Sequence, residues 1–346
     1  MNSKRYILVD LIKFYMSIVI LIFHYNLFLL GGNHPYMFKG GYLAVDVFFI
    51  ISGFFLGKTI FWREKEQINV LRILFGKIRN LYLHYFLALA IIATFMWTNA
   101  ERYSLDIHNP IRDVISFVGE VLMVQEWGIP FLKPTYNGQA WYVSAMIASI
   151  LIITLVFKVV SLRLRRKFLF GFTAVSYMFI AVIFKNLHVH GMLGPIPVGV
   201  LRGLAGIAVG ILIFSAKNQE QNEGKERIHR NIMFTAIAVV ACTALWMCNR
   251  DSYIDFFIVP IGILLVWFAM NVKSSNQKLN RASRVLSEIS YVIYLNQGVT
   301  RFAMDKYIEK YSCVQYVAAC VVVAITIYYL VAFISKKAFT KGNIVE

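Results

Sequence analysis

Charged residues are scarce in this sequence. Asp, Glu, Lys and Arg make up only 15% of the 346 residues, whereas hydrophobic residues make up 59%. A soluble protein of this length needs more charge to cover its surface. The scarcity of charge therefore argues against an ordinary soluble protein.

Acidic residues are the scarcer of the two signs. There are 18 Asp and Glu against 35 Lys and Arg, which gives a net charge of +17. Such an excess can indicate nucleic-acid binding, but here the basic residues lie between hydrophobic runs. That placement favours contact with anionic lipid head groups. We therefore expect membrane lipids as partners and no nucleic acid.

Cysteine and proline are also rare. The four cysteines form no C-x-x-C pair and no zinc-binding spacing, so neither a disulfide framework nor a metal site is predicted. The seven prolines form no linker, and no Gly- or Ser-rich stretch divides the chain. We therefore predict a single membrane domain over residues 1–346 with no fused soluble domain.

What the sequence does contain is a series of long apolar segments, the pattern of an all-α polytopic membrane protein. The first begins with basic residues, like a signal peptide. It carries Asp10 and Lys13 and lacks a small-residue cleavage site, so we interpret it as a retained helix. The segments lie near 7–29, 41–60, 81–98, 113–125, 141–158, 168–186, 195–215, 231–248, 254–272, 285–302 and 314–335.

Segment 113–125 is too short to span a bilayer and carries Glu120, so it is predicted to be re-entrant or interfacial. With that segment excluded and a cytoplasmic N-terminus, 24 Lys and Arg fall on the cytoplasmic side and 9 on the other. If the segment crossed, the basic stretch 158–167 would face outward, against the positive-inside rule. The charges therefore predict about ten transmembrane helices with both termini cytoplasmic.

Two polar residues of the first helix lie in its apolar part. Lys13 and His24 are eleven residues apart, which is three turns and about 16 Å along one helix face. They could be residues that extend to the membrane surfaces. That explanation suits Lys13 poorly, because apolar residues flank it on both sides.

Asp46 is the acidic residue of the second helix. It is predicted to lie at about the depth of His24, and a carboxylate beside an imidazole holds its tautomer and raises its basicity. We therefore expect Asp46 to orient His24. Backbone groups or Arg202 could instead satisfy Asp46, and Arg202 could bind substrate or simply pair with Asp46.

The loop after the second helix is strongly basic and ends in Lys77 and Arg79. Most of this charge is explained by topology. The last two residues could also bind a phosphorylated donor, because Lys and Arg form charge-assisted hydrogen bonds with phosphate.

Several motifs resemble the acyltransferase-3 family of bacterial membrane proteins, over nearly the whole chain. The most specific is "AVDVFFIISGF" at 44–54, which matches the family's second helix and contains Asp46 and Ser52. Trp141 in "QAWYVSAM" and Arg202 in "RGLAGIAVG" lie in two further matching stretches. "ISYVIYLNQ" at 289–297 is similar to a late family motif.

The chain also departs from the family pattern. Lys13 stands where the family has Arg, with ten residues between it and the matching His24. Lys77, Arg79 and Asn80 only approximate a pair of arginines, and Gln297 replaces a late His. The Glu that often follows the Trp is absent, and Ala145 and Met146 occupy that region.

The resemblance implies an O-acyltransferase of the stand-alone polysaccharide O-acetyltransferase type, in the bacterial cytoplasmic membrane. Acetyl-CoA would be the co-substrate on the cytoplasmic side, a glycan hydroxyl the acceptor, with no bound cofactor or metal. His24 would be the general base or a transient acyl carrier, oriented by Asp46. Substrate or donor binding is expected at Lys13, Ser52, Lys77, Arg79, Trp141, Arg202, Tyr294 and Gln297.

Two other functions fit intramembrane charge. A transporter or flippase for a lipid-linked glycan would also have about ten helices with polar residues inside the bilayer. Such proteins more often show inverted repeats and broken helices in matching positions, and the sequence shows neither. A catalytically inactive scaffold is the third possibility, given the departures from the family pattern.

Overall fold

The computed structural model describes most of the chain, and within that part the fold is helical apart from a small ribbon. The described part contains eleven α-helices, and a two-residue strand β1 (Met192–Leu193) pairs with β2 (Ile196–Pro197). The described residues are 5–29, 37–99, 110–129, 132, 136–188, 191–217, 225–248 and 251–342.

Each predicted apolar segment corresponds to one helix. The helices are α1 (Ile7–Leu29), α2 (Ala44–Ile60), α3 (Val70–Thr98), α4 (Pro110–Val121), α5 (Trp141–Val159), α6 (Leu162–Phe184), α7 (Val198–Lys217), α8 (Lys225–Cys248), α9 (Ile258–Ala269), α10 (Gln277–Tyr307) and α11 (Cys313–Gly342).

Two helices begin well before their apolar part. The Asn69 side chain accepts a hydrogen bond from the Arg72 backbone N–H at 2.9 Å, so α3 begins at Val70 rather than at 81. The Asn276 side chain accepts from the N–H groups of Lys278 and Leu279, so α10 begins at Gln277 rather than at 285. Side-chain caps of this kind satisfy N–H groups that have no partner within the helix.

Eight of the described helices are long and apolar enough to cross a membrane: α1, α2, α3, α5, α6, α7, α8 and α11. Helix α9 has only 12 residues, although an apolar 3-10 turn precedes it and extends the segment to 253–269. Helix α10 has 31 residues, but its composition is polar. The prediction of an all-α polytopic protein is confirmed.

Contacts between helix ends decide which helices cross the bundle. Arg165, at the start of α6, donates hydrogen bonds to the Phe61 carbonyl after α2 and to the Phe157 carbonyl near the end of α5. These two ends therefore lie on one side of the bundle. Because α3 leaves that side and α5 returns to it, α4 does not cross.

Further contacts show which ends of the other helices lie on the same side of the bundle. Backbone hydrogen bonds join Arg5 to Ser274, so the start of α1 and the start of α10 share the predicted cytoplasmic side, called the inner end below. At the opposite, outer end, the Tyr25 hydroxyl donates to the Tyr311 carbonyl between α10 and α11. Helix α10 therefore runs from the inner to the outer end despite its polarity.

Helix α4 presents an apolar stripe to the surface. Ile111, Val114, Val118 and Leu122 follow helical spacing and are all exposed, whereas Glu120 on the opposite face is fully buried. A 12-residue helix is about 18 Å long, which is too short for a hydrocarbon core. The amphipathic stripe is typical of a helix that lies at a membrane interface.

The centre of the bundle is the contact between α2 and α7. A Cβ placed on Gly53 would lie 2.1 Å from the Ile207 carbonyl oxygen, and one on Gly210 would lie 2.0 Å from the Ile50 carbonyl oxygen. Only glycine permits this approach of two helix backbones. The close packing brings the outer parts of α2 and α7 together, and with them Asp46 and Arg202.

Candidate active site

A cavity of about 630 Å³ lies among α1, α2, α3, α5, α10 and α11. It contains four of the residues that the sequence predicted for substrate or donor binding: Lys13, Ser52, Lys77 and Tyr294. The sequence analysis did not select the other residues of its wall. Those residues are Phe48, Ile51, Phe55, Gly76, Leu81, His84, Tyr142, Met146, Ser287, Glu288, Ser290, Tyr291 and Tyr328.

The cavity follows the membrane normal over about two helical turns. On α2 its wall runs from Phe48 near the outer end to Phe55, seven residues and about 10 Å further inward. The wall on α10 runs from Ser287 to Tyr294 in the opposite chain direction. The cavity therefore extends from the inner parts of these helices to the outer parts of α2 and α5.

Positive charge lies in the inner half of the cavity. Lys77 is at the inner part of α3, where burial lowers the pKa of its ammonium group. Lys13 faces it from α1, with its Nζ 5.4 Å from the centre of the Phe55 ring. Two ammonium groups in one partly desolvated cavity attract an anionic group such as a phosphate.

Arg79 is not part of this cavity. Its side chain is exposed, and it does not appear in the cavity wall although it follows Lys77 by two residues. Successive residues of a helix point in different directions, which separates the two side chains. A role for Arg79 in donor binding stays a prediction, and the Asn80 side chain lies outside the described part of the chain.

A polar group that the sequence analysis did not select lies on the cavity wall. The His84 ring stacks on Tyr328 at 6.4 Å, and the Tyr328 hydroxyl donates to Glu288 Oε2 at 2.7 Å. Among the described residues, His84 Nε2 has no hydrogen-bond partner. The neighbours of His84 in this group, Glu288 and Tyr328, come from α10 and α11.

Aromatic rings and hydroxyl groups form the outer end of the cavity. The Tyr142 hydroxyl and Ser52 Oγ are 3.3 Å apart, and the rings of Tyr142 and Tyr294 meet edge to face at 5.8 Å. The Tyr294 hydroxyl donates to the Gln139 carbonyl just before α5. Tyr142 and Tyr294 therefore close the cavity toward the outer end.

His24 lies next to this closure, and its partner is Gln297. His24 Nδ1 is 2.7 Å from Gln297 Oε1, and Gln297 Nε2 donates to the Tyr294 carbonyl at 2.9 Å. Because the amide N–H₂ group is engaged by that carbonyl, the amide oxygen faces the imidazole. His24 Nδ1 must then carry the proton, which leaves the lone pair on Nε2.

Asp46 does not orient His24, so that prediction of contact is wrong. Arg202 donates to both Asp46 oxygens, from Nε at 3.2 Å and from Nη2 at 2.6 Å. Both side chains are almost completely buried. The alternative, a pair between Asp46 and Arg202, is therefore the observed one. A buried ion pair needs this bidentate geometry to offset desolvation.

Trp141 packs against the buried pair from α5. The Arg202 guanidinium lies 5.5 Å from the centre of its ring. Gly199, one turn before Arg202, leaves the space that the ring fills, because a Cβ there would lie 3.1 Å from the ring. The Trp141–Arg202–Asp46 group thus ties α5, α7 and α2 together at the outer end.

Glu126 lies beside this group, on the loop before α5. A Cβ on Gly199 would also come within 3.4 Å of Glu126 Oε2, and the Glu126 backbone N–H donates to Ser144 Oγ at 3.0 Å. Burial raises the pKa of the Glu126 carboxyl to about 7. The sequence analysis missed Glu126, because a single acidic residue in an irregular segment carries no periodic signal.

Glu120 has a structural role in the described geometry. Its carboxylate accepts hydrogen bonds from the backbone N–H groups of Tyr136 and Asn137, at 2.8 and 2.9 Å. Asn137 Nδ2 in turn donates to the Leu295 carbonyl of α10 at 3.1 Å. Helix α4 therefore anchors the segment that leads into Trp141.

No group of three or more His, Cys, Asp or Glu with the arrangement of a metal site occurs within the described residues. The cavity's polar atoms are ammonium, hydroxyl and imidazole groups with a single carboxylate. Such a set suits an organic anion better than a metal ion.

The model of an acyltransferase domain, that of the acyltransferase-3 family, matches residues 6–332. No curated protein and no solved structure matches the chain.

Proposed function

The chain belongs to the acyltransferase-3 family and is a multi-pass membrane acyltransferase, and we propose that it moves an acetyl group from acetyl-CoA to a hydroxyl of a cell-surface or exported glycan. The observation that carries the proposal is the cavity. It has two lysines in its inner half, and its outer end lies next to His24, whose Nδ1 is 2.7 Å from Gln297 Oε1.

The inner half of the cavity suits the donor. The phosphates of CoA would lie near Lys77 and Lys13, and the thioester arm would extend outward past Phe55 and Ile51. Holding the thioester in a fixed position near the acceptor converts a bimolecular reaction into an effectively unimolecular one. Lys13 and Lys77 would therefore act through binding and orientation.

The chemical step would use His24. Its Nε2 would accept the proton of the acceptor hydroxyl while the hydroxyl oxygen attacks the thioester carbonyl carbon. The carbon–sulfur bond then breaks, and the CoA thiolate leaves and takes up the proton from the imidazolium. Gln297 would hold the required tautomer throughout, because its oxygen accepts the Nδ1 proton.

Asp46 and Arg202 would support the site without contacting His24. Both carboxylate oxygens of Asp46 accept from Arg202, and the guanidinium also faces Trp141. This arrangement favours a role for Asp46 in positioning Arg202, whereas the sequence had favoured direct contact between Asp46 and His24. Arg202 and Trp141 remain proposed contacts for the acceptor at the outer end.

The proposed location is the bacterial cytoplasmic membrane. Membrane lipids would surround the bundle, the donor would approach from the cytoplasm, and the glycan would approach the outer end. The positive-inside distribution of Lys and Arg supports this orientation.

The test is transfer of label from acetyl-CoA. Inverted vesicles from a host that exports an acetylatable glycan receive acetyl-labelled acetyl-CoA, and the label recovered in alkali-labile esters of the glycan is measured. The wild type should transfer label, and His24→Ala should lose at least about 100-fold of the rate. His229→Ala is the matched control, because His229 is an exposed histidine of α8 outside the cavity.

The same assay distinguishes the other two functions. A flippase would increase the exposed glycan without any label in it, and an inactive scaffold would do neither. Transfer at the wild-type rate by purified His24→Ala would contradict the proposed chemistry while leaving the acyltransferase assignment intact.

A further inference from the structure

Three side chains at the outer end of the cavity contact one another. The Tyr142 hydroxyl is 3.3 Å from Ser52 Oγ, and the hydroxyls of Tyr142 and Ser52 lie 3.6 and 3.5 Å from Met146 Sδ. Met146 and Tyr142 are both buried. We call this contact the Tyr142–Ser52–Met146 wall.

The wall is rigid because aromatic rings hold Tyr142 on several sides. Its ring lies 4.7 Å from the Phe49 ring, 6.0 Å from the Phe48 ring and 5.8 Å from the Tyr294 ring. These ring contacts hold Tyr142 in place at the edge of the cavity. Only Met146 has a flexible side chain in the wall.

The position of the charges decides which part of an acyl thioester would reach the wall. The anionic part of the donor is attracted by Lys77 and Lys13 in the inner half, so the thioester arm extends toward the Tyr142–Ser52–Met146 wall at the outer end. The acyl group therefore points outward. Its carbon chain meets Met146, Ile51 and Phe48 rather than solvent.

We propose that the Tyr142–Ser52–Met146 wall limits the length of the acyl group, so that the enzyme accepts short acyl thioesters and rejects medium-chain ones. The inference rests on the proposed donor, an acyl-CoA, and adds the residue that selects among donors. Met146 is the main determinant, because its thioether arm fills the space into which a longer chain would extend.

The size of the effect follows from apolar burial. Each methylene that finds room in an apolar pocket improves affinity by about fourfold. A methylene without room gives no such gain, and its steric conflict weakens binding. Removing the arm in Met146→Ala should therefore raise the affinity for hexanoyl-CoA relative to acetyl-CoA by roughly tenfold.

The experiment measures equilibrium binding of labelled acetyl-, butyryl-, hexanoyl- and octanoyl-CoA to purified protein in nanodiscs. The wild type should bind acetyl-CoA most tightly, and affinity should fall with chain length. In Met146→Ala the hexanoyl-to-acetyl ratio of affinities should rise about tenfold. In Met146→Phe, which narrows the cavity, the butyryl-to-acetyl ratio should fall.

Met96→Ala is the matched control. Met96 is a buried methionine of α3 that does not line the cavity, so its truncation should leave the ratios of affinities unchanged. A change as large as that of Met146→Ala would attribute the effect to general loosening and overturn the inference.

The two proposals fail in different ways. If the wild type binds none of the acyl-CoAs, the proposed function is wrong, and the inference fails with it. If it binds acetyl-CoA but shows the same affinity for octanoyl-CoA, or if neither Met146 variant changes the ratios, only the length selection is wrong.

Discussion

A single amide group determines the chemistry available to His24. Gln297 directs its oxygen to the imidazole because its N–H₂ group donates to the Tyr294 carbonyl. The proton is thereby held on Nδ1, which is the tautomer that the proposed base requires. A carboxylate, as the sequence had suggested, is not required for this purpose.

Replacing Gln297 by Leu should lower kcat by about 10²-fold or more with little change in the KM for acetyl-CoA, because an apolar side chain leaves the tautomer unfixed. Gln297→His should retain more activity, since a ring nitrogen can accept the Nδ1 proton. Steady-state kinetics of both variants provide the measurement. Equal activity of the two would mean that Gln297 acts only through its bulk.

Breaking the buried Asp46–Arg202 pair should affect folding more than chemistry. Asp46→Asn leaves a buried guanidinium without a countercharge, which costs about 3–5 kcal/mol. The double variant Asp46→Leu with Arg202→Met removes both charges and should recover much of this loss. Thermal unfolding followed by size-exclusion chromatography gives the comparison. A fully stable but inactive Asp46→Asn protein would instead show that Asp46 takes part in the reaction.

Glu126 should make stability depend on pH. Burial raises its pKa from the ordinary value of 4.5 to about 7, so between these values the folded protein holds a proton that the unfolded chain has released. Stability therefore falls as pH rises through this window and is constant above it. Glu126→Gln should be more stable than the wild type at pH about 8, with the difference vanishing near pH about 4.5.

Thermal melts across this pH range test the assignment. Glu66→Gln is the matched control, because Glu66 is exposed in the loop before α3. A difference between Glu126→Gln and the wild type that does not vary with pH would contradict the assignment.

At the scale of helices, Arg165 joins two helix ends by filling the space between them. Its guanidinium is fully buried and donates to the carbonyls of Phe61, Arg63 and Phe157. The last carbonyls of a helix have no partner within the helix, and a cation there also interacts favourably with the helix dipole. The residue therefore fixes α2 against α5, and both helices line the cavity.

Arg165→Met should lower the free energy of unfolding by roughly 2–4 kcal/mol, because buried carbonyls lose their donors. The Tyr142–Ser52–Met146 wall depends on the same two helices, α2 and α5, so the affinity for the donor should fall as well. Arg163→Met is the control, since Arg163 is an exposed arginine of the same helix turn. Equal melting of the two variants would refute the role of Arg165.

At the scale of the whole molecule, the topology can be tested at residues that the structure exposes. Ser161 and Lys278 are exposed at the predicted cytoplasmic side, and Gly138 is exposed at the outer side. Tyr136, two residues before Gly138, is buried at 2% exposure and is unsuitable for labelling.

Single cysteines at these positions, in a chain without its four native cysteines, should react with an impermeant thiol reagent from outside only at position 138. Reaction of whole cells and of inverted vesicles gives the two readings. Labelling of position 161 from outside would reverse the orientation, and labelling of 138 and 161 from the same side would contradict the parity deduced from Arg165.

The sequence by itself determined the apolar helices, and it predicts which of their ends face the cytoplasm. Apolar runs and the distribution of 35 Lys and Arg were sufficient for this, because the bilayer imposes length and charge rules on each segment separately. It also identified the polar side chains that have no place in an apolar helix, among them Lys13, His24, Asp46 and Arg202. Each of these judgements depends on one segment at a time.

Only the tertiary structure decided the partners. His24, Asp46, Arg202 and Gln297 lie on four helices, α1, α2, α7 and α10, and the position of each residue along its own helix allows several pairings. The glycines of α2 and α7 bring those two backbones together, so Asp46 contacts Arg202, which is 156 residues away in the sequence. His24 contacts Gln297, which is 273 residues away. Neighbour choice depends on how helix surfaces fit, and that fit is not a property of any single segment.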